Sequence, residues 1–232
     1  MPNPAHTDPY DELRRLIECT DQNKEDECRF YLQYARSLLF RESVMELVYL
    51  ETEYREHSGD SDYVISAQVQ ESSGVQRVKA YVWESKAPQC YIFERDTENR
   101  LKPSQDLVQA ENQLLHYYLD LKGSEPSRDE FGVTTSDDFC LGGIIIGCNR
   151  TRVRGDYEGA KKVRLYNKAW QTRKILYGHE GIRLMTWDHV LEQIKPRPEL
   201  SPGSPQQYPI VASKISAGTV SVFIDPRDNS EE

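Results

Sequence analysis

The sequence feature that most constrains the fold is an apolar run that ends in charged residues. Val78–Lys86 is rich in β-branched and aromatic residues, and Pro88 follows two positions later. A run of this kind stopped by proline predicts a β-strand. Because side chains alternate along a strand, Val82, Glu84 and Lys86 share one face. The acid and the amine then lie about 7 Å apart at their Cα atoms, at the carboxyl end of an otherwise apolar strand. Charges are costly there unless they bind something, so we interpret the pair as the centre of a functional site.

The segment before this strand predicts its partner. Asp62–Val69 alternates loosely as a second strand, and Ser72–Gly74 suits a three-residue hairpin loop, because glycine takes the left-handed last position. That loop fixes a register in which Asp62 lies directly opposite Glu84, with Cβ atoms about 5 Å apart. The register also pairs apolar residues of the two strands: Tyr63 with Trp83, Val64 with Val82, and Ile65 with Tyr81.

Two facing carboxylates suit Mg²⁺ or Mn²⁺, which prefer oxygen ligands. The backbone carbonyl of Ser85 supplies a candidate third oxygen. A bound metal ion lowers the pKa of a water ligand and stabilises charge on a phosphate, and Lys86 is placed to orient or deprotonate the attacking water. The alternative is that Glu84 and Lys86 form an ordinary exposed ion pair. Whether Glu46 or Asp60 contributes to the site stays open.

Composition excludes several classes of protein. The 232 residues carry a net charge of −9, which counts against a protein that coats nucleic acid nonspecifically. The absence of a run of about 18 apolar residues predicts no membrane span, and the N-terminus lacks a secretory signal pattern. The five cysteines form no CxxC pair and no zinc-like spacing. We therefore expect reduced thiols and a cytoplasmic protein.

One segment departs from the acidic average. Residues Arg150–Lys174 include nine basic and two acidic residues. A basic segment in an acidic protein predicts contacts to nucleic-acid phosphates, although a solvated helix face explains the charge almost as well. The candidate nucleic-acid-binding residues are Arg150, Arg152, Arg154, Lys161 and Lys162.

Hydrophobic periodicity predicts an α/β fold with a mixed central sheet flanked by helices. Ser43–Tyr54 fits either a helix or a strand. Inside the basic helix we expect Val163, Leu165, Ala169, Thr172 and Ile175 to face inward. Asp188 is the expected cap of the last helix. The other predicted helices are Pro9–Cys19, Lys24–Phe40, Gln105–Leu121, Tyr157–Leu176 and Val190–Ile194, and the later strands are Phe139–Gly147 and Ile182–Trp187.

Three regions follow from this order of elements. Residues 1–60 form an N-terminal helical region and residues 61–195 form the core. Residues 196–232 form a C-terminal linker with a possible strand, Thr219–Ile224, and an acidic tail.

The pieces of the core together resemble a known pattern. Ser61–Ile65, a hairpin, and then Trp83–Pro88 resemble the PD-(D/E)xK nuclease superfamily. Ala110–Gln113 followed by Tyr117 resembles the Ala-x-x-Gln-x-x-x-Tyr helix of the Shedu family of bacterial anti-phage proteins. Two later segments, Gly142–Gly147 and Leu184–Asp188, resemble the later strands of the same domain. The likeness spans about residues 61–194.

This resemblance implies a restriction-endonuclease-like core with Asp62 and Glu84 as metal ligands and Lys86 as the catalytic lysine. It also implies that Gln113, which by itself is an ordinary helix-flank residue, belongs to the same site. The family works as DNA endonucleases in phage defence, as oligomers, with an N-terminal region that regulates cleavage.

We therefore predict a Mg²⁺- or Mn²⁺-dependent endonuclease that hydrolyses double-stranded DNA, acts as a homo-oligomer and binds no membrane. The sequence does not separate DNA from RNA as the substrate. The alternative is a catalytically silent module that keeps the fold and binds nucleic acid or a regulatory partner. A third hypothesis is a purely structural α/β protein.

Overall fold

The computed structural model describes residues 8–20, 23–56, 59–96, 98, 100–155 and 159–196. Within these ranges the side chains of residues 49–56, 59–62 and 159–160 lie outside the description. The possible strand Thr219–Ile224 also lies outside it.

A five-stranded mixed sheet forms the centre of the fold, in the order β1-β2-β3-β6-β8. β2 runs antiparallel to both of its neighbours, β1 and β3, whereas β6 runs parallel to both of its neighbours, β3 and β8. The sheet is flanked by helices, so the predicted mixed α/β architecture is confirmed. Its strands are β1 (Ser43–Glu56), β2 (Gly59–Gln70), β3 (Gln76–Ser85), β6 (Phe139–Ile145) and β8 (Arg183–Met185).

The hairpin between β2 and β3 has the predicted register. Tyr63 pairs with Trp83 and Val64 with Val82. The loop closes through a hydrogen bond from the Glu71 N–H to the Val75 carbonyl at 2.9 Å. Gly74 has φ 82°, the left-handed conformation that favours glycine at this position.

Each face of the sheet has its own hydrophobic core. On one face, Val64 and Val82 pack with α3 (Gln105–Gly123) and α5 (Gly159–Glu180). On the other face, Trp83 packs with α1 (Pro9–Glu18), the following helical segments and α6 (Trp187–Ile194). The burial of both faces explains why β6 is continuously apolar. The predicted stripe of the first helix is confirmed, and its buried residues are Leu13, Leu16 and Ile17.

The second predicted helix is divided. α2 (Glu25–Arg29) passes directly into a 3₁₀ segment, Phe30–Tyr34. Ala35, with φ −114° and ψ 25°, interrupts the helix before a second 3₁₀ segment, Arg36–Leu39. Side chains three residues apart are aligned in a 3₁₀ helix, and this spacing brings Leu32 and Ala35 together into the core.

A small second sheet lies beside the main one. β4 (Phe93–Arg95) and β5 (Leu101–Pro103) form a short antiparallel hairpin, and β7 (Val153–Arg154) runs parallel to β4. The loop after Lys86 is thereby joined to the loop after β6.

The structure decides one local assignment that the sequence left open and shows two further differences from the sequence. Ser43–Tyr54 is part of strand β1. The Gly123–Asp138 segment, which looks turn-rich in sequence, contains α4 (Glu125–Phe131), capped by Ser124. β1 pairs with β2, so the expected boundary at residue 60 falls between two neighbouring strands of one sheet.

The predicted inward face of the basic helix is mostly wrong, although one of its five residues, Ala169, packs against the hydrophobic core. Val163 and Ile175 are exposed, at 58% and 65%, whereas Tyr166, Trp170 and Tyr177 are buried. The three aromatic side chains remove more apolar surface from water than the aliphatic set.

The cap of α6 also differs from the prediction. The helix begins at Trp187 after Thr186 as its N-cap, and the Thr186 N–H donates to His189 Nδ1 at 3.0 Å. Asp188 instead accepts a hydrogen bond from the Asn149 N–H at 2.7 Å. Within the part of the chain that the structure describes, no helix combines the length and apolarity needed to cross a bilayer.

Candidate functional site

The predicted acid and amine are in direct contact at the carboxyl end of β3. Lys86 Nζ lies 2.7 Å from Glu84 Oε1. The side chain of Glu84 is only 1% exposed, and that of Lys86 is 12% exposed. The pair is therefore not an ordinary surface ion pair, and it occupies the low-dielectric environment where charges interact most strongly.

Backbone and indole hydrogen bonds hold the end of the strand in place. The Lys86 N–H donates to the Ile145 carbonyl at 2.8 Å, and the Lys86 carbonyl accepts from Trp187 Nε1 at 2.7 Å. The Gly147 N–H donates to the Ala87 carbonyl at 3.2 Å. β6 and α6 thus hold the backbone of Lys86 in place, and this limits the positions that its ammonium group can reach.

Glu25 is a component of the site that sequence reasoning missed. Its Oε1 lies 3.8 Å from Lys86 Nζ, and its Oε2 accepts a hydrogen bond from the Ala87 N–H at 3.2 Å. Arg29, one turn further along α2, lies 3.5 Å from the same carboxylate. The N-terminal helical region therefore reaches the end of β3 and adds a second carboxylate beside the lysine.

Asp62 belongs to β2, but its side chain lies outside the described residues. The described ladder ends at the pair Tyr63 and Trp83. If the same antiparallel register continued for one further step, the Asp62 backbone would lie opposite Glu84. The opposition of the two carboxyl groups stays a prediction.

The two other acidic candidates, Glu46 and Asp60, lie on different strands of the sheet, β1 and β2. Glu46 pairs with Gln68, which pairs in turn with Val78, six residues before Glu84. Six residues correspond to about 20 Å along a strand, so Glu46 lies far from the site. Asp60 lies in β2, and its side chain is outside the described set.

Gln113 lies on α3, the helix that covers the face of β3 carrying Val82. Because side chains alternate along the strand, Glu84 points to this same face. Gln113 is half-buried, and its Oε1 accepts no hydrogen bond from any residue that the structure describes.

The five predicted nucleic-acid-binding residues have different environments. Arg150 donates through Nη2 to the Ile17 carbonyl, at the end of α1. Arg154 lies 4.0 Å from Glu94 and 3.9 Å from Asp106. These two arginines therefore serve internal contacts. Lys161 is exposed, whereas Arg152 and Lys162 line a common cleft.

In the middle of β3, polar contacts with Glu42 fix the strand. Glu42 accepts a hydrogen bond from the Tyr81 hydroxyl and another from Lys79 Nζ, the latter at 3.0 Å. Burial acts to raise the pKa of Glu42, but these two hydrogen bonds outweigh it and hold the pKa below its usual value. Burial and the same hydrogen bond raise the pKa of Tyr81.

The carboxylate oxygens that the structure describes near Lys86 are of the type that binds a hard divalent cation. Glu84 and Glu25 provide carboxylate oxygens around Lys86, and such ligands suit Mg²⁺ or Mn²⁺. Among the side chains that the structure describes, no three His, Cys, Asp or Glu residues cluster as metal ligands. The predicted ligand Asp62 is not among those side chains.

Models of known protein families and curated protein sequences offer no match to this chain.

Proposed function

We propose that this chain is a divalent-metal-dependent endonuclease that hydrolyses phosphodiester bonds of DNA. The observation that carries the proposal is the Glu84–Lys86 pair, 2.7 Å apart and almost fully buried at the carboxyl end of a central strand. Burying an ion pair costs several kcal/mol of desolvation per ion, and a well-packed apolar pair is often at least as stable. A chemical role accounts for keeping two charges there.

Each residue has a distinct role in this proposal. Glu84 and Asp62 hold the metal ion, with the Ser85 carbonyl as a further oxygen ligand. The bound ion supplies Lewis-acid stabilisation of phosphate charge and a water of lowered pKa. Lys86, as an ammonium group, would orient the attacking water by donating a hydrogen bond to it, or would stabilise the charge that develops on the phosphate, and Gln113 would complete the site from α3.

Glu25 adds a function that concerns the lysine. Its carboxylate lies 3.8 Å from Lys86 Nζ and favours the ammonium form. It also fixes the chain after β3 through the Ala87 N–H. Glu25 therefore positions Lys86 against Glu84.

The same contacts favour a second candidate, a module that binds nucleic acid without cutting it. Lys86 lies between two carboxylates, so its charge is balanced without a metal ion. A lysine neutralised in this way has less tendency to act on water. This candidate predicts DNA binding that is unchanged by Glu84→Gln.

Cleavage of linear and supercoiled DNA with Mg²⁺ or Mn²⁺ tests the proposal. We expect cutting by the wild-type protein, loss of cutting in Lys86→Ala, and no change in Lys102→Ala. Lys102 is a matched control because its partner, Glu94, is 3.0 Å away in a surface pair. Absence of cutting, or cutting that survives Lys86→Ala, overturns the endonuclease proposal. An RNA substrate in the same assay decides between the two nucleic acids.

The biological setting is part of the proposal. The resemblance to the Shedu family supports a role in bacterial anti-phage defence, in the cytoplasm and as a homo-oligomer. Expression in bacteria challenged with phage, comparing wild type with Lys86→Ala, tests that role. Equal phage yields in the two strains would count against it.

A further inference from the structure

A cleft of about 200 Å³ opens between the loop after β6 and helix α5. Among the lining residues that the structure describes, two are positively charged, two are apolar and none is acidic. The lining residues are Asn149, Arg152, Val153, Lys162, Val163 and Tyr166.

Arg152 is held in a fixed orientation inside this cleft. Its Nη2 donates to Asn149 Oδ1, and its guanidinium carbon lies 4.8 Å from the centre of the buried Tyr166 ring. Its Nε is buried and donates to no residue that the structure describes. A buried donor without a partner is costly, so this nitrogen is suited to a ligand that brings its own acceptor.

The charge of the cleft selects the chemistry of that ligand. Arg152 offers a planar fork of donors and Lys162 adds a second positive charge. A guanidinium fork matches the spacing of two phosphate oxygens, and a nearby ammonium adds charge without further geometric demand. Val153 and Val163 form apolar walls, which suit the sugar or base attached to such a phosphate. Asp188 approaches the same loop, but it accepts the hydrogen bond from the Asn149 N–H.

The cleft is tied to the candidate catalytic site. Thr151 Oγ1 donates to the Pro88 carbonyl at 2.8 Å, and the Ile92 N–H donates to the Thr151 carbonyl at 3.1 Å. The loop carrying Arg152 is thereby anchored to the chain that leaves Lys86.

We propose that this cleft binds a backbone phosphate of the nucleic-acid strand handled by the Glu84–Lys86 site. The proposal rests on the nuclease or nucleic-acid-binding function above. It assigns the specific phosphate contact to Arg152 and Lys162, the two cationic residues that line the cleft.

Fluorescence anisotropy of labelled DNA tests the proposal, with EDTA present so that binding is measured without cleavage. Arg152→Gln removes the held guanidinium, and Lys168→Gln removes an exposed charge from α5, the helix that carries Lys162. We expect Arg152→Gln to raise the Kd about tenfold, because a charge-assisted hydrogen bond is lost. The variant should also make the negative slope of log binding constant against log salt concentration shallower by about one. Lys168→Gln changes the Kd less than about twofold, since exposed charges are screened by salt. Thermal unfolding confirms that both variants remain folded.

The outcomes separate this proposal from the nuclease proposal. If Arg152→Gln and Lys168→Gln weaken binding equally, the cleft proposal is overturned while Lys86-dependent cleavage still stands. If Arg152-dependent binding is found without any cleavage, the nuclease proposal fails and the cleft remains. Unlabelled inorganic phosphate and a mononucleotide serve as competitors. If they bind through Arg152 while oligonucleotides do not bind at all, the cleft serves a small phosphate ligand and the assignment to a nucleic-acid strand is wrong.

Discussion

Replacing Lys86 by methionine probes how strongly the buried charge pair depends on its partner. Methionine keeps most of the apolar length of the lysine stem, so the main loss is the ammonium group. That group lies 2.7 Å from Glu84 Oε1, and the Glu84 side chain is 1% exposed. The variant therefore leaves a carboxylate in a poorly solvated position, where it must stay charged at high cost or take up a proton.

The cost of taking up that proton sets the upper limit of the effect. A carboxyl group with the ordinary glutamate pKa of about 4.3 costs about 3.7 kcal/mol to protonate at pH 7, from 1.36 kcal/mol per pH unit. Breaking a buried pair by removing one partner costs about 3–5 kcal/mol, so protonation becomes the cheaper route. We expect Lys86→Met to lose about 3 kcal/mol of unfolding free energy at pH 7 and about 1 kcal/mol at pH 5.

The sign of the pH dependence follows from proton counting. Above about pH 4.3 the folded variant holds a proton that the unfolded chain lacks, so its stability falls as the pH rises. Urea unfolding at pH 5, 6 and 7 with EDTA measures this. The double variant Glu84→Gln/Lys86→Met removes both charges and recovers most of the loss. The control Lys102→Met changes stability by less than about 0.5 kcal/mol, because Lys102 is 54% exposed beside Glu94. A loss below about 1 kcal/mol at pH 7, or a loss independent of pH, refutes the reasoning.

Two further predictions concern packing and acid stability. A Cβ at Gly143 would lie 2.2 Å from the Arg183 carbonyl oxygen, so Gly143→Ala should lower stability by about 1–3 kcal/mol in urea unfolding. Gly178→Ala, in α5 with open space around it, should raise stability by up to about 1 kcal/mol. Glu42 has a lowered pKa in the folded state, so its contribution is present at neutral pH and is lost as the pH falls below about 4.5. Glu42→Gln should therefore be less stable than wild type at pH 7, with the difference narrowing in acid.

Each of these predictions has a result that contradicts it. Equal stability of Gly143→Ala and Gly178→Ala would show that β6 and β8 can separate without cost. Parallel stability curves for wild type and Glu42→Gln from pH 7 to pH 3 would show that the contacts of Glu42 with Lys79 and Tyr81 do not favour the ionised carboxylate.

The hairpin could be predicted from sequence because its determinants are local. A three-residue loop ending in Gly74 allows few conformations, and strand alternation then fixes every pair up to Tyr63 and Trp83. A slip of one residue would exchange the two buried faces of β2. The hairpin loop and the burial of both faces of β2 therefore determine the register of the two strands.

Glu25 could not be predicted because its role depends on tertiary contacts. It stands first in a run of three acidic residues, Glu25–Glu27, and acidic residues are favoured in the first turn of any helix. Only the packing of α2 against the chain after β3 selects Glu25 for the Ala87 N–H and Lys86. The inward face of α5 was mispredicted for a related reason. The apolar residues of α5 are spread over several sides of the helix, so periodicity alone does not show that the side bearing Tyr166 is the buried one.

The mixed direction of the central sheet explains why both candidate sites lie at one edge. β3 is antiparallel to β2 and parallel to β6, so its carboxyl end meets the start of β2 on one side and the end of β6 on the other. The antiparallel neighbour places the start of β2, which contains Asp62, beside the end of β3, and the parallel neighbour brings the loop with Thr151 and Arg152 to Pro88. An all-parallel sheet would send the start of β2 to the far edge, and an all-antiparallel sheet would do the same to the end of β6. The order of strands thus brings the loop that carries Arg152 close to the chain that follows Lys86, which is the arrangement that the proposed phosphodiester substrate would need. This is why Arg152→Gln and Lys86→Ala should act on the same DNA in different ways, the first on binding and the second on cleavage.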